Sequence, residues 1–157
     1  MFKPLGTFAL LLTLTTTQSL ASDQPFGCYV TNYDSAHLAK HKGQTITSMS
    51  LKLYSGKEVE GFTADMFADI SVKLRGDKTN IWSEVADCSG KPGAWKCGIE
   101  CDGGGFALKE DGANIVLTNS SYFRVTKDGC GETSHHIEAK PGNRMFKLSK
   151  SKLSNCK

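Results

Sequence analysis

The chain has 157 residues, 19 Lys and Arg against 16 Asp and Glu, and 39% hydrophobic residues, enough for one ordinary domain with its own core and too little for two comfortable ones. A net charge of +3 is too small to imply binding to nucleic acid or to an anionic membrane surface. The one local imbalance is late, where Lys140, Arg144, Lys147, Lys150, Lys152 and Lys157 face only Glu138, and a solvated basic terminal strand accounts for it better than a patch for an anionic partner.

Residues 1–21 carry Lys3, an apolar run from Phe8 to Leu14, and small residues around Leu20 up to Ala21. That order predicts a secretory signal peptide cleaved after Ala21, and its apolar core of about ten residues is short of the roughly 20 that span a bilayer. No second apolar run of that kind follows, so no membrane span is expected. The remainder, 22–157, is expected to form a single β-rich domain. All six cysteines (Cys28, Cys88, Cys97, Cys101, Cys130 and Cys156) lie in it, and an even count behind an export signal predicts disulfides in an oxidising compartment, periplasmic or secreted.

In chain order, Gly27 to Val30 reads as a short strand placing Cys28 at the start of the fold. Asp34 then suits the N-cap of a short helix Ser35 to Lys42, with Gly43 in the stop position and Lys40, His41 and Lys42 near the negative C-terminal end. Thr45, Thr47, Met49, Leu51 and Leu53 alternate with polar residues, as do Met66, Ala68, Ile70, Val72 and Leu74, so both stretches are strands with one buried face. Gly76 to Thr79 turns the chain into a strand from Ile81 to Cys88.

The stretch Trp95 to Phe106 combines Cys97, Cys101 and the glycines 103–105. A two-residue turn at Gly103-Gly104 places Cys101 opposite Phe106 and Ile99 opposite Leu108. A turn at Asp111-Gly112 places Leu108 opposite Ile115, and a loop Asn119 to Ser121 places Leu117 opposite Phe123. Every pair is apolar, which predicts a four-stranded antiparallel meander over 95–126. One strand earlier the face argument conflicts with itself. A hairpin at Pro92-Gly93 puts Cys88 opposite Cys97, but it also turns Glu84 and Ala86 inward, whereas Ile81 and Val85 are the residues expected there; a bulge between Val85 and Cys88 would reconcile the two. Residues 129–142 are polar and read as irregular, Met145 to Leu148 is a last short strand, and Cys156 ties down the C-terminus. The fold class is therefore mostly β, a single-domain antiparallel barrel or sandwich of about 8–9 strands with one short helix, stapled by disulfides. The expected pairings are Cys88 with Cys97 if the bulge between Val85 and Cys88 exists, Cys88 otherwise pairing elsewhere, Cys28 with Cys156, and Cys101 with Cys130.

The candidate chemistry is sparse. On a strand, Cys97 and Cys101 lie about 13 Å apart, beyond the reach of a mutual disulfide, so each is expected to bond elsewhere. His37 and His41 are one helical turn apart and could present two imidazoles to one metal ion with His136 as a third ligand, although no Glu stands between them; a solvated helix face is the preferred reading. The glycines at 103–105 precede a strand, not the helix N-terminus that a phosphate cradle needs. No nucleophile signature is present. Asn119-Ser-Ser121 matches a glycosylation acceptor, accessible if it lies on a turn.

Cys28-Tyr29, Tyr33-Asp34, Ala36 to His41 (AHLAKH) and Cys97 to Phe106 together resemble a family of small exported bacterial proteins with no assigned activity. The resemblance implies an envelope or secreted location and carries over no catalytic residue. The functional expectation is a non-enzymatic protein that binds an unknown protein or small ligand, without cofactor, and whose contact surface lies near the helix and the 129–142 segment. The alternatives are a metal-binding or hydrolytic protein using His37 and His41, and an inhibitor of a secreted enzyme.

Overall fold

A computed structural model describes residues 24–58, 60–61, 63–127 and 133–156; the expected leader over 1–21 and Cys130 lie outside the described residues. The strands are β1 (Gly27–Asn32), β2 (Ile46–Ser55), β3 (Met66–Leu74), β4 (Trp82–Lys91), β5 (Ala94–Ile99), β6 (Gly104–Asp111), β7 (Asn114–Thr126), β8 (Ser134–Glu138) and β9 (Met145–Ser151), with the helix α1 (Ser35–Lys40) between β1 and β2. Strands β1 to β7 are neighbours in chain order, and β9 pairs with both β7 and β1, which closes an eight-stranded antiparallel barrel. The ninth strand, β8, lies outside that ring. The long β7 gives its first half, Asn114 to Thr118, to β9 and its second, Tyr122 to Thr126, to β8.

The alternation expected for β3 holds, as does that for β2 from Met49 on: Met49, Leu51, Leu53, Met66, Ile70 and Val72 are buried against Phe106, Leu108, Leu117, Phe123, Phe146 and Leu148 from the opposite wall. At the start of β2 a register shift between Ile46 and Ser48 buries Ile46 and leaves Thr45 exposed, contrary to the expected pattern. Each such side chain stabilises the fold by about 1.5–3 kcal/mol when fully removed from water. An eight-stranded barrel is just wide enough for side chains to fill, and these fill it.

The face conflict in β4 resolves without a bulge. Pairing of β4 with both β3 and β5 is regular, Cys88 faces Cys97 at a Cα separation of 4.0 Å, and the two are disulfide-bonded. Ala86 is buried, whereas Ile81 and Val85 are 55% and 48% exposed, contrary to the inward placement their hydrophobicity suggested. Glu84 does turn inward; its carboxylate meets the Arg124 guanidinium from β7 at 3.6 Å, with both side chains about nine-tenths buried.

The meander also needs correction. The β5–β6 connection is the four-residue turn Glu100 to Gly103, so Cys97 and not Cys101 faces Phe106, and Trp95 faces Leu108. Cys101 is exposed in the turn at φ 54°, followed by Asp102 at φ 56°. The next turn is Gly112-Ala113, which pairs Leu108 with Leu117. No turn interrupts β7, so three strands, not four, span 94–126, and the stretch read as irregular contains β8. Each misplacement shifted the pairing by an even number of residues. Such a shift returns every side chain to its own face, so matching apolar pairs could not detect it. The glycines are explained by crowding: Gly104 adopts φ 71° beside the Tyr122 ring, and a Cβ on Gly105 would overlap the Cys97 carbonyl.

Cys28 and Cys156 form the other described disulfide, with Cα atoms 5.7 Å apart. Cys101 is disulfide-bonded as well; its expected pairing with Cys130 falls outside the described residues. Such cross-linking fits an oxidising environment. Among the described residues no helix is long and apolar enough to cross a membrane.

The turn between β3 and β4 is organised by one carboxylate. Asp77 accepts from Thr79 N–H, from the backbone and side-chain N–H groups of Asn80, and from the Trp82 indole N–H at 2.9 Å. The Asn80 bonds first, then Trp82, hold its carboxyl well below the usual carboxylate range. A depressed folded pKa stabilises the fold above the unfolded value of about 3.9 and loses that contribution as pH falls below it. Thermal melts from pH 5 to pH 2 are therefore expected to show wild type ahead of Asp77→Asn at pH 5, with the gap closing on acidification; a gap independent of pH contradicts this account.

Candidate functional site

The filled lumen directs attention to the outer surface. At one end of the barrel, α1 and the connection from β8 to β9 are built into one platform. Asp34 caps α1, its side chain accepting from His37 N–H at 2.7 Å. The helix ends at Lys40 and not at Lys42, because Arg75 from the end of β3 donates to the Leu38, His41 and Lys42 carbonyls at 2.8, 3.2 and 3.2 Å. A helix this short gains little from its own hydrogen bonds, so that guanidinium fixes it to the barrel. From the other side, buried Asn143 accepts from Thr45 N–H and donates to Thr45 Oγ1, both at 2.9 Å.

Asn119 completes the platform. It is buried, with Nδ2 donating to the Ile137 carbonyl at 2.7 Å and to the Asn143 carbonyl at 3.3 Å. The expected accessible glycosylation acceptor is thus an interior tie between β7, β8 and the loop after it. Asn119→Ala strands those carbonyls and is expected to cost about 1–3 kcal/mol, read as a shift of the urea midpoint at unchanged slope; a variant within experimental error of wild type contradicts the assignment.

The four histidines fall in three separate ring clusters. Tyr33, His37 and His41 form a column with ring centroids 4.6 and 4.0 Å apart and interplanar angles of 29° and 17°. His37 Nε2 bonds Gln44 Oε1 at 3.1 Å, and His41 Nδ1 donates to the His37 carbonyl at 2.9 Å. Near-parallel imidazoles direct their in-plane lone pairs side by side, whereas a shared metal needs them to converge at about 2.0–2.1 Å. His136 stands on β8, stacked on Tyr122 at 5.2 Å, and His135 meets the Trp82 ring edge-on at 4.2 Å. Among the described residues no three His, Cys, Asp or Glu side chains are grouped to hold a metal ion.

A shallow concavity of about 350 Å³ lies over Ser121, Tyr122, His136, Glu138, Ala139 and Lys140. Serine, histidine and glutamate are the residue types of a hydrolytic triad, but that chemistry requires the base to hydrogen-bond both nucleophile and orienting acid. No such bond joins Ser121 to His136 or His136 to Glu138 in the structure, and Glu138 instead pairs with Lys140, which holds its carboxyl below the usual range. A second groove, about 440 Å³, runs along the outer face of β1 to β3, floored by Ser48, Ser50 and Ser71 and rimmed by exposed Ile81 and by Asn155 of a C-terminal 3₁₀ turn. Val30 and Lys73 also line it. It offers shape, polar contacts and the aliphatic side chains of Val30 and Ile81, the ingredients of a binding surface.

Arg124 and Asn143 were not singled out by sequence reasoning, Glu84 entered it only as a conflict of faces, and Asn119 only as a turn residue and glycosylation acceptor. The signal for Arg124 was its place between Phe123 and Val125, an ionic residue within an apolar run. For the two asparagines no sequence signal distinguished an interior tie from a turn residue.

Searches of family models, curated proteins and solved structures returned no match to the chain.

Proposed function

We propose that this chain is an exported, disulfide-braced barrel of the periplasm or extracellular space that acts by binding another macromolecule on its outer surface, without catalysis. The observation that carries this reading is the closed lumen filled by Met49, Leu51, Ile70, Phe106 and Phe123, which leaves no interior room for a small ligand of the kind larger or emptier barrels hold. The leader-like residues 1–21 and the disulfides support export. The grooves support binding, because each presents polar side chains over a concave outer surface. The resemblance to small exported bacterial proteins agrees with that location.

The test has two arms on the purified chain. Assays with ester, peptide, phosphate and glycoside substrates are expected to show no turnover above buffer. Capture from envelope or host extracts is expected to retain a partner that Ser50→Arg, which fills the β1–β3 groove at an exterior position, or Glu138→Lys releases without lowering the melting temperature. Turnover that copurifies with the chain and disappears in His136→Ala overturns the proposal.

A further inference from the structure

Closing a barrel removes sheet edges, yet among the described residues β8 is paired on one side alone. Which of its backbone groups are open follows from β7. Ala139 N–H donates to the Ser121 carbonyl at 2.7 Å, and Arg124 N–H donates to the Gly103 carbonyl on the opposite side at 2.8 Å. Odd-numbered residues of β7 therefore bond toward β8 and even-numbered ones away from it. In the observed register Phe123 faces Ile137 and Val125 faces His135, so these are the hydrogen-bonded pairs. The N–H and C=O groups of Ser134 and His136, and the Glu138 N–H, consequently point outward along the free edge. His135, His136 and Glu138 are exposed.

A row of alternating donors and acceptors at strand spacing is complementary to one kind of ligand, another extended polypeptide. We propose that its occupant is a second copy of this chain, adding through its own β8 across a two-fold axis. Charge selects the register. Antiparallel pairing centred on Ile137 places His136 opposite Glu138 of the second copy, and by symmetry Glu138 opposite His136 of the second copy. An imidazole thus meets a carboxylate at both ends, and opposite-charge cross-strand pairs are favourable. In this register the Glu138 N–H of each copy donates to the His136 carbonyl of the other, whereas the Glu138 carbonyl keeps its own Lys140 N–H at 2.8 Å. Centring on His136 instead would set the two imidazoles against each other. Two-fold pairing covers the β8 edge of both copies at once, so it closes at a dimer and does not grow into a fibre. This assembly shares Glu138 with the concavity over Ser121 and His136, and it is told apart from partner capture because it needs no second protein.

Sedimentation of the purified chain over a concentration series up to about 1 mM tests it. The expected result is a reversible monomer–dimer equilibrium, with the His136 and Glu138 amides gaining hydrogen-exchange protection as the dimer forms. His136→Pro removes an outward N–H that the β7 ladder does not use, along with the ring stacked on Tyr122, and is expected to be folded and monomeric. His136→Glu sets carboxylate against carboxylate, and Glu138→Lys removes the acceptor, so each alone is expected to be monomeric. Mixed in equal amounts, these two variants place Glu opposite Lys at one end and restore Glu opposite His at the other, and dimer is expected to return. Wild type that stays monomeric throughout, a dimer that His136→Pro leaves intact, or a mixture that stays monomeric overturns the proposal.

Discussion

Arg124→Met is expected to destabilise the barrel by about 3–5 kcal/mol, the range for stripping one partner from a buried ion pair. The Arg124 and Glu84 side chains are 10% and 11% exposed, so solvent screens their interaction little. The same guanidinium donates to the Cys101 carbonyl at 2.8 Å and the Glu100 carbonyl at 3.1 Å, and the Arg124 backbone N–H holds the Gly103 carbonyl. Its removal leaves a carboxylate facing the barrel interior and releases a turn that already carries Cys101 and Asp102 at positive φ, a conformation non-glycine residues adopt only when their surroundings impose it. Against a total stability of about 5–15 kcal/mol, the loss should move the urea midpoint far down at unchanged slope. The companion Glu84→Leu/Arg124→Met is expected to recover a large part of it, because replacing both charges removes the desolvation penalty along with the attraction. If Arg124→Met costs less than about 1 kcal/mol, or the double variant is worse than the single, the pair is not what holds this end of the barrel.

The same pair shows where sequence reading stops. Glu84 on the inner face of β4 looked like an error of register, since a lone charge there is costly. The sequence around residue 84 contains nothing that neutralises it; the cation arrives from a residue 40 positions away, through Ser83 facing Thr126 where β4 meets the end of β7. By contrast, the alternation of Met49, Leu51 and Leu53 and the Asp34 cap are local physics and were legible outright. Pairing Cys88 with Cys97 was legible too, because a tight turn at Pro92-Gly93 leaves one register. The turns at Glu100 to Gly103 and Gly112-Ala113 were misplaced for a different reason. Face matching fixes register only up to an even shift, and choosing among even shifts needs the turn geometry itself. The break at Asn119 to Ser121 was inferred from turn-forming residue types. In the folded chain Asn119 is buried because it satisfies two carbonyls, a tertiary demand that no local propensity encodes. The Tyr122–His136 stack and the open edge of β8 followed from the same omission, since both depend on β7 running on to Thr126.

Removing the Cys28–Cys156 disulfide is expected to cost about 5 kcal/mol, and removing Cys88–Cys97 about 2.5 kcal/mol. The difference comes from the unfolded state: the first bridge closes a loop with a sequence separation of 128, the second one of 9, and longer loops lose more chain entropy when closed. Local structure reinforces the order. Cys88 and Cys97 sit in a hairpin already registered from Ala86–Ile99 to Lys91–Ala94. Cys28 lies at the seam that closes the barrel, where β1 meets β9 through only Cys28–Ser151, Tyr29–Lys150 and Val30–Ser149. Opening that seam would expose Tyr29, Phe146 and Leu148 along a fresh edge. Cys28→Ala/Cys156→Ala should therefore melt about 15–25 °C lower than wild type, and its amide exchange should accelerate first at residues 28–30 and 149–151, before the rest of the sheet. Cys88→Ala/Cys97→Ala should lose about half as much and exchange faster only within its own hairpin. A reversed order, or uniform acceleration in the first variant, would mean that the barrel closes through its packed core with little help from the bridge, and that the short β1–β9 seam is stable by itself.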